Sequence, residues 1–344
     1  MKTNMALNMP TTAIKSESAI YAGDITATVG NTPLVRLRRL PAERGIKATI
    51  LVKPEFMNPS GSVKDRMAIY LLDQAVRRGE IKPGWSIVEA TSGNTGASVA
   101  MYAAAHDYKA ILTIPDKMSK EKVDTLRAFG AEVHICPTAV PPDSPESYYE
   151  TAKRIHRETP NSYLIGQYFN LDNIEAHYRS TGPEIFRQTD GKLDVFVGGI
   201  GTGGTVSGVG RFLKEQNPGI EVVAADPIGS VFYNYHRDKT LIEPHPYFVE
   251  GIGDDFLCPT LDLSVIDKIY QVTDKESFLM TRELTRKEGI FGGGSSGAAV
   301  HVALKHAVGL DADKTVVVIL PDSGVKYISK IFNDEWMREK GFLE

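Results

Sequence analysis

Short β-branched runs separated by helical stretches predict an α/β protein built on largely parallel sheets. Two observations carry that reading. Thr49-Ile50-Leu51-Val52 and Val316-Val317-Val318-Ile319-Leu320 are apolar at consecutive positions, which suits strands covered by helices on both faces rather than strands with one wet side. The segments between such runs switch to helical spacing and carry capping residues or glycine stops at their ends.

Strands are expected, in chain order, over 49–52, 86–89, 110–114, 194–197, 221–224 and 315–320. After the turn Asn58-Pro59-Ser60-Gly61, the run from Met67 to Leu72 reads as a helix, and 95–105 as a small-residue helix able to pack closely. Ser119 can cap a helix with Val123, Leu126 and Phe129 as its apolar stripe, and Gly130 stops it. A helix over 276–288 leads through a glycine loop to another starting near Ala298. The proline-rich stretch from Pro137 to Pro145 is the clearest break in composition, and a domain crossing is expected near Pro160.

At 344 residues, 42% hydrophobic and 24% charged, the chain has the composition of a packed protein of about two domains and not of a disordered or fibrous one. Lys plus Arg number 39 against 43 for Asp plus Glu, a net charge of -4, so no positive field awaits a nucleic acid. Cys136 and Cys258 stand far apart with no CxxC or Cys/His cluster, which leaves neither a disulfide framework nor a zinc site. The eight histidines fall singly, and none is assigned to a metal or to catalysis. His177 reads as a packing or surface residue. The aliphatic run 316–320 is far shorter than the roughly 20 residues that span a bilayer, and the polar first residues lack the apolar core of a secretion signal. A cytoplasmic protein with a short mobile tail is expected.

Four segments carry the chemistry. Lys64 of Ser62-Val63-Lys64-Asp65-Arg66 sits at a helix start, where the positive dipole end disfavours a cation and helps keep the amine neutral enough to attack a carbonyl. Taken alone, it reads as a solvated surface lysine rather than as a site residue. Thr91-Ser92-Gly93-Asn94-Thr95-Gly96 joins a strand to a helix with three hydroxyls and an amide, a receptor for a carboxylate or phosphate, although capping by Ser92 or Asn94 is the plainer reading. Gly199-Ile200-Gly201-Thr202-Gly203-Gly204-Thr205 also follows a strand and opens a helix. With Asp226 ending the next strand it passes as a dinucleotide fingerprint, and it serves a phosphomonoester equally well. Gly292-Gly293-Gly294-Ser295-Ser296-Gly297 is either a pair of helix caps or a rigid loop presenting a serine hydroxyl to a ring nitrogen.

Together these segments resemble the pyridoxal-phosphate enzymes of the cysteine synthase and cystathionine β-synthase family, the second fold type among enzymes using that cofactor. The match runs from Gly30-Asn31-Thr32-Pro33-Leu34-Val35 to the C-terminus, and the dinucleotide reading accounts for only one of the four motifs. Ala176-His177-Tyr178, Val249-Glu250-Gly251-Ile252-Gly253 and the ending from Trp336 to Leu343 look more like cystathionine β-synthases. Ser180-Thr181-Gly182-Pro183-Glu184-Ile185 is equally similar to cysteine synthases.

The resemblance implies two three-layer α/β/α domains with the cofactor in the cleft between them, a tryptophan synthase β-like fold. Residues 1–20 would be a flexible tail, 55–160 the smaller domain, and 21–54 plus 161–344 the larger. Lys64 would hold pyridoxal 5'-phosphate as an imine and then move the α-proton, with Gly201, Thr202, Gly203, Gly204 and Thr205 on the phosphate. Asn94 would lie along the ring, Ser295 would face its nitrogen, and Thr91, Ser92, Thr95 and Gln167 would hold the substrate carboxylate. The implied reaction is a β-replacement joining L-serine to L-homocysteine in a likewise implied homodimer. O-acetylserine with sulfide is the alternative, and a silent binding relative the alternative of another class. Animal members carry a haem-binding segment before the core and a regulatory pair behind it, so neither haem nor adenosylmethionine control is expected here. Asp254 stands where those members have a tyrosine beside the substrate pocket.

Overall fold

The computed structural model describes residues 22–141 and 143–344, so the expected tail over 1–20 lies outside the described residues. The strands in chain order are β1 (Val35–Arg36), β2 (Thr49–Pro54), β3 (Ser86–Ala90), β4 (Lys109–Pro115), β5 (Glu132–Cys136), β6 (Ser162–Leu164), β7 (Val195–Gly199), β8 (Glu221–Pro227), β9 (Lys268–Val272) and β10 (Thr315–Leu320). They form a six-stranded sheet, β1-β2-β10-β7-β8-β9, and a four-stranded sheet, β5-β4-β3-β6. Among the described residues the β1–β2 pair alone of these strand pairs is antiparallel.

The consecutive apolar residues do what their pattern requires. On β10, Val316, Val318 and Leu320 enter the core on one face of the larger sheet, while Val317 and Ile319 enter the core on the other. The smaller sheet divides in the same way, Ile87 and Leu112 facing one helical layer and Val88 and Ile111 the other. Both units are therefore three-layered α/β structures, as expected. Among the described residues no helix is long and apolar enough to cross a membrane.

Three local details differ from the sequence reading. Strand β6 lies beyond the expected crossing near Pro160 yet pairs with β3, Ser86 opposite Ser162. Three residues are too few to show a strand period, so the pairing is a tertiary outcome. The helix Gly294–Ala307 begins at Gly294 rather than near Ala298, which puts Ser295 in its first turn. The helix Asn94–Ala105 has Gly93 at its N-cap with φ 118° and no capping side chain, so neither Ser92 nor Asn94 performs that task.

Candidate active site

In parallel sheets the loops after the strands all emerge at one edge, where ligands of α/β proteins bind. Here the segment carrying Lys64 follows β2, the Thr91–Gly96 turn follows β3, the glycine loop follows β7, and residues 321–327 follow β10. Isolated bridges Ser62↔Asp322 and Gly292↔Ser323 knit the first, last and Ser295-bearing segments together.

Lys64 opens the helix Lys64–Arg77, and its backbone N–H donates to Ser62 Oγ at 3.3 Å. The side chain is half-buried, and what remains open faces an internal cavity. Burial lowers its pKa to about 8; Lys122 adds to the fall and the Asp322 carboxylate opposes it. Desolvation therefore dominates the effect expected from the helix dipole. Its neighbour Asp65 is buried and accepts from the Ser60 hydroxyl, from Ser60 N at 2.8 Å and from the Ser98 hydroxyl, which pins the turn before the helix.

The glycine loop enters the helix Gly204–Gln216 through Gly203 at φ 88°. Any side chain there would meet the Leu261 backbone at 2.6 Å, and one at Gly201 would meet the Gly251 carbonyl at 2.6 Å. Among the described residues the N–H groups of Gly201, Thr202, Gly203 and Thr205 find no backbone acceptor, the usual state of a helix start that receives an anion. Its hydroxyls are set from behind. Asn173 Nδ2 donates to Thr202 Oγ1 at 2.9 Å and to the Gln167 carbonyl at 2.9 Å, and His177 Nε2 lies 3.1 Å from Thr205 Oγ1. Burial holds the His177 pKa well below its ordinary value, with Lys64 and Arg66 adding to the fall, so the ring is neutral. His177 is thus more than packing, and neither it nor Asn173 was identified from sequence.

Asp226 does not behave as a ribose ligand. Its carboxylate is fully buried, accepts from Tyr233 N at 2.9 Å and lines neither the cavity nor the niche beside the loop.

The Thr91–Gly96 turn is organised by Thr91, whose hydroxyl accepts from Gly93 N at 2.9 Å and Gly96 N at 3.0 Å. That hydroxyl shapes the turn, and Thr91 is fully buried. Thr95 Oγ1 donates to Gln167 Oε1 at 2.7 Å, and Gln167 Nε2 donates to the Ala90 carbonyl at 3.0 Å. Glu89 receives Gly166 N at 2.8 Å, anchoring the segment that carries Gln167; burial raises its pKa to about 7 against that bond. Asn94 bridges the two units, with Nδ2 donating to Asp322 Oδ2 and Oδ1 accepting from Lys326 Nζ, both at 2.8 Å.

Lys64, Ser92, Gln167, Gly201 and Thr202 line one cavity of about 630 Å³. Lys64, Gly203 and Thr205 also border a narrow niche that opens beside the glycine loop. Asn94 and Ser295 are buried at the junction rather than on the cavity wall. Asp322 shares that junction, its Oδ2 taken by Asn94 and Tyr327 and its buried Oδ1 without a hydrogen-bond partner among the described residues.

The family profile described as "Pyridoxal-phosphate dependent enzyme" matches residues 25–322. A protein of Oryctolagus cuniculus named cystathionine beta-synthase is 46% identical over 321 residues, 93% of this chain and 58% of that protein. One of the same name from Saccharomyces cerevisiae is 44% identical over 326 residues, 92% of this chain and 64% of its own length. A Bacillus subtilis protein named O-acetylserine dependent cystathionine beta-synthase is 39% identical over 307 residues, 89% of this chain and 96% of that protein. The chain thus spans about three fifths of the length of its animal and yeast relatives.

Proposed function

The chain belongs to the family of pyridoxal-phosphate dependent enzymes, and on that premise we propose that it catalyses a β-replacement, joining L-serine to L-homocysteine. One observation carries the reading. A lysine of lowered basicity shares a single cavity with an anion-receiving glycine loop on one side and a hydroxyl-rich turn on the other.

The residues fit the cofactor. The unpartnered N–H groups at the glycine loop suit a phosphate, and an amine that is partly neutral near pH 8 suits a carbonyl. When bound, pyridoxal phosphate draws electrons from a substrate α-carbon, so that its proton and then its β-substituent can leave. Lys64 would be the residue that tethers the cofactor, and its Nζ would hold and move the α-proton. Gly201 to Thr205 hold the phosphate, steadied by Asn173 and His177. Asn94, in an orientation that Asp322 and Lys326 fix, would hold the ring from the junction beside the cavity. Ser295, in the first turn of its helix, would meet the ring nitrogen, where a neutral hydroxyl does not favour protonation as a carboxylate would. Ser92, Thr95 and Gln167 hold the donor carboxylate within a turn that Thr91 keeps in shape.

The name of the Bacillus relative supports O-acetylserine as a second donor. Two assays on the purified holoenzyme decide between them: serine with homocysteine, and O-acetylserine with homocysteine or with sulfide. Cystathionine formed from serine is the expected result, and cysteine formed from sulfide alone would overturn it. We propose further that it acts as a homodimer, which light scattering checks, and in the cytoplasm. We place the smaller domain over 55–164 and the larger over 22–54 plus 165–344, since β6 pairs within the smaller sheet.

A further inference from the structure

Away from Lys64 the cavity wall carries a carboxylate that no cation neutralises. Asp254 follows Gly251-Ile252-Gly253, with both glycines at positive φ, 86° and 79°. A side chain at Gly253 would meet Pro227 Cγ at 2.4 Å and the Tyr247 hydroxyl at 2.6 Å, so the loop has one path past Tyr247. Its backbone is tied down on both sides. Asp254 N donates to Ser230 Oγ at 3.2 Å, and the Asp254 carbonyl accepts from Val231 N at 3.2 Å. Among the described residues the carboxylate accepts only from Asp255 N, at 2.8 Å, and from the weak donor Cys258 Sγ at 3.9 Å.

Among the described residues Asp254 has no ion pair, whereas Glu250 on the same cavity holds Lys122 and Lys330 at 2.7 and 2.8 Å. Lys117, exposed at the rim, attracts the carboxylate without reaching ion-pair distance. Burial pushes the Asp254 pKa up to about 7, which marks a group whose charge lacks a partner.

Around it stand aromatic rings. Tyr148, Tyr149, Tyr168 and Tyr247 line the cavity with Asp254, Tyr149 meeting Tyr168 edge-on at 5.3 Å. Burial raises all four phenols, with the charge of Asp254 adding to the rise, so they are neutral and close enough to feel it. Aromatic rings around one carboxylate form a receptor for a cation.

We propose that Asp254 with Tyr148, Tyr149, Tyr168 and Tyr247 forms a subsite for the ammonium group of the second substrate, so that the site selects organic, amine-bearing nucleophiles over neutral or inorganic ones. The identification of the occupant as the second substrate rests on the β-replacement reading. The competing role, holding Asp255 N–H within the loop, needs only a side-chain oxygen, which asparagine also offers. Asp254→Asn therefore separates charge from fold.

The probes are 2-(dimethylamino)ethanethiol, whose tertiary amine is cationic and cannot condense with a carbonyl group, and neutral 2-mercaptoethanol. With serine or O-acetylserine saturating, the holoenzyme should show kcat/KM for the cationic thiol at least about tenfold above that for the neutral one. Asp254→Asn should bring that ratio close to one, and Asp254→Glu should keep most of it. An Asn variant with the parent ratio, or a parent without preference, overturns the subsite. If neither probe nor homocysteine is incorporated with either donor, the β-replacement reading fails. Calorimetric binding of the two thiols to parent and variant then reads the subsite directly, with the same loss of preference expected and an unchanged preference refuting it.

Discussion

Among the described residues Lys64 differs from the buried Lys53, Lys122 and Lys326 in having neither an ion pair nor a hydrogen bond at its Nζ. Lys53 is fully buried and donates to Glu184 Oε1 at 2.6 Å, the Thr32 carbonyl at 2.8 Å and Gln188 Oε1 at 2.9 Å, leaving it no freedom to reach a ligand. Lys64→Ala should therefore remove cofactor absorbance above that of the protein and nearly all turnover, and borohydride-treated parent enzyme should carry the label on Lys64 in a mass spectrum. A neutral amine is the reactive form, so reloading of cofactor-free enzyme should accelerate as pH rises through about 8 and then level off. Stopped-flow absorbance against pH measures this, and a rate still rising toward pH 10 would contradict it. Arg66, two residues on, binds Glu55 at 2.6 Å and Glu184 at 3.0 Å and so anchors the helix that presents Lys64. Burial works against ionisation of Glu184, but Arg66 and Lys53 outweigh it and hold its pKa at about 2. Its folded value lies below the unfolded value of about 4.3, so its contribution is complete above pH 4.3 and fades as pH falls toward 2. Glu184→Ala, which strands Lys53, should cost about 3–5 kcal/mol near pH 7 in urea unfolding, less in acid.

At the scale of the element, the glycine loop works because its backbone occupies space that side chains would fill. Gly203 has φ 88° and sits against Leu261, so Gly203→Ala is strained twice, in conformation and in contact. The expected result is at least a tenfold weaker affinity for pyridoxal phosphate, by fluorescence titration, with circular dichroism largely preserved. Affinity equal to the parent would show that the loop tolerates a shift of Leu261. The hydroxyls of the same loop depend on the helix Asp172–Arg179 behind it, which contributes both Asn173 and His177. Sequence spacing marks the loop but not its support, because that support comes from residues with no motif of their own.

Across the whole molecule, the two α/β units meet through a polar clasp. Lys122 from the smaller unit pairs with Glu250 of the larger at 2.7 Å, Lys330 reaches back to the Lys117 carbonyl at 2.9 Å, and Ser119 Oγ donates to the Lys326 carbonyl at 2.9 Å. Polar interfaces between domains permit relative motion, and ligands in a cleft commonly drive its closure. Small-angle scattering should show the radius of gyration falling when serine is added to the holoenzyme. Glu250→Gln, which weakens the hold on Lys122, should enlarge the free form and raise the KM for the donor. Identical radii with and without serine would rule the closure out.

The amino-acid sequence alone determined the α/β class and the positions of the reactive loops. Strands apolar on both faces must be covered on both faces, and glycine-rich turns after such strands emerge at the ligand edge of a parallel sheet. Tertiary structure decided what each group in those loops can do. Thr91 became the organiser of its turn because two N–H groups converge on its hydroxyl. Asn94 acquired a fixed orientation because Asp322 and Lys326, more than two hundred residues away, close on its two ends. Lys64 lost basicity through burial, and Asp254 has no ion pair among the described residues because its loop runs among tyrosines while Lys330 is held by Glu250 and Lys117 stays out of reach. Desolvation and long-range hydrogen bonds depend on which surfaces fold together, and a linear pattern of residue types does not contain them.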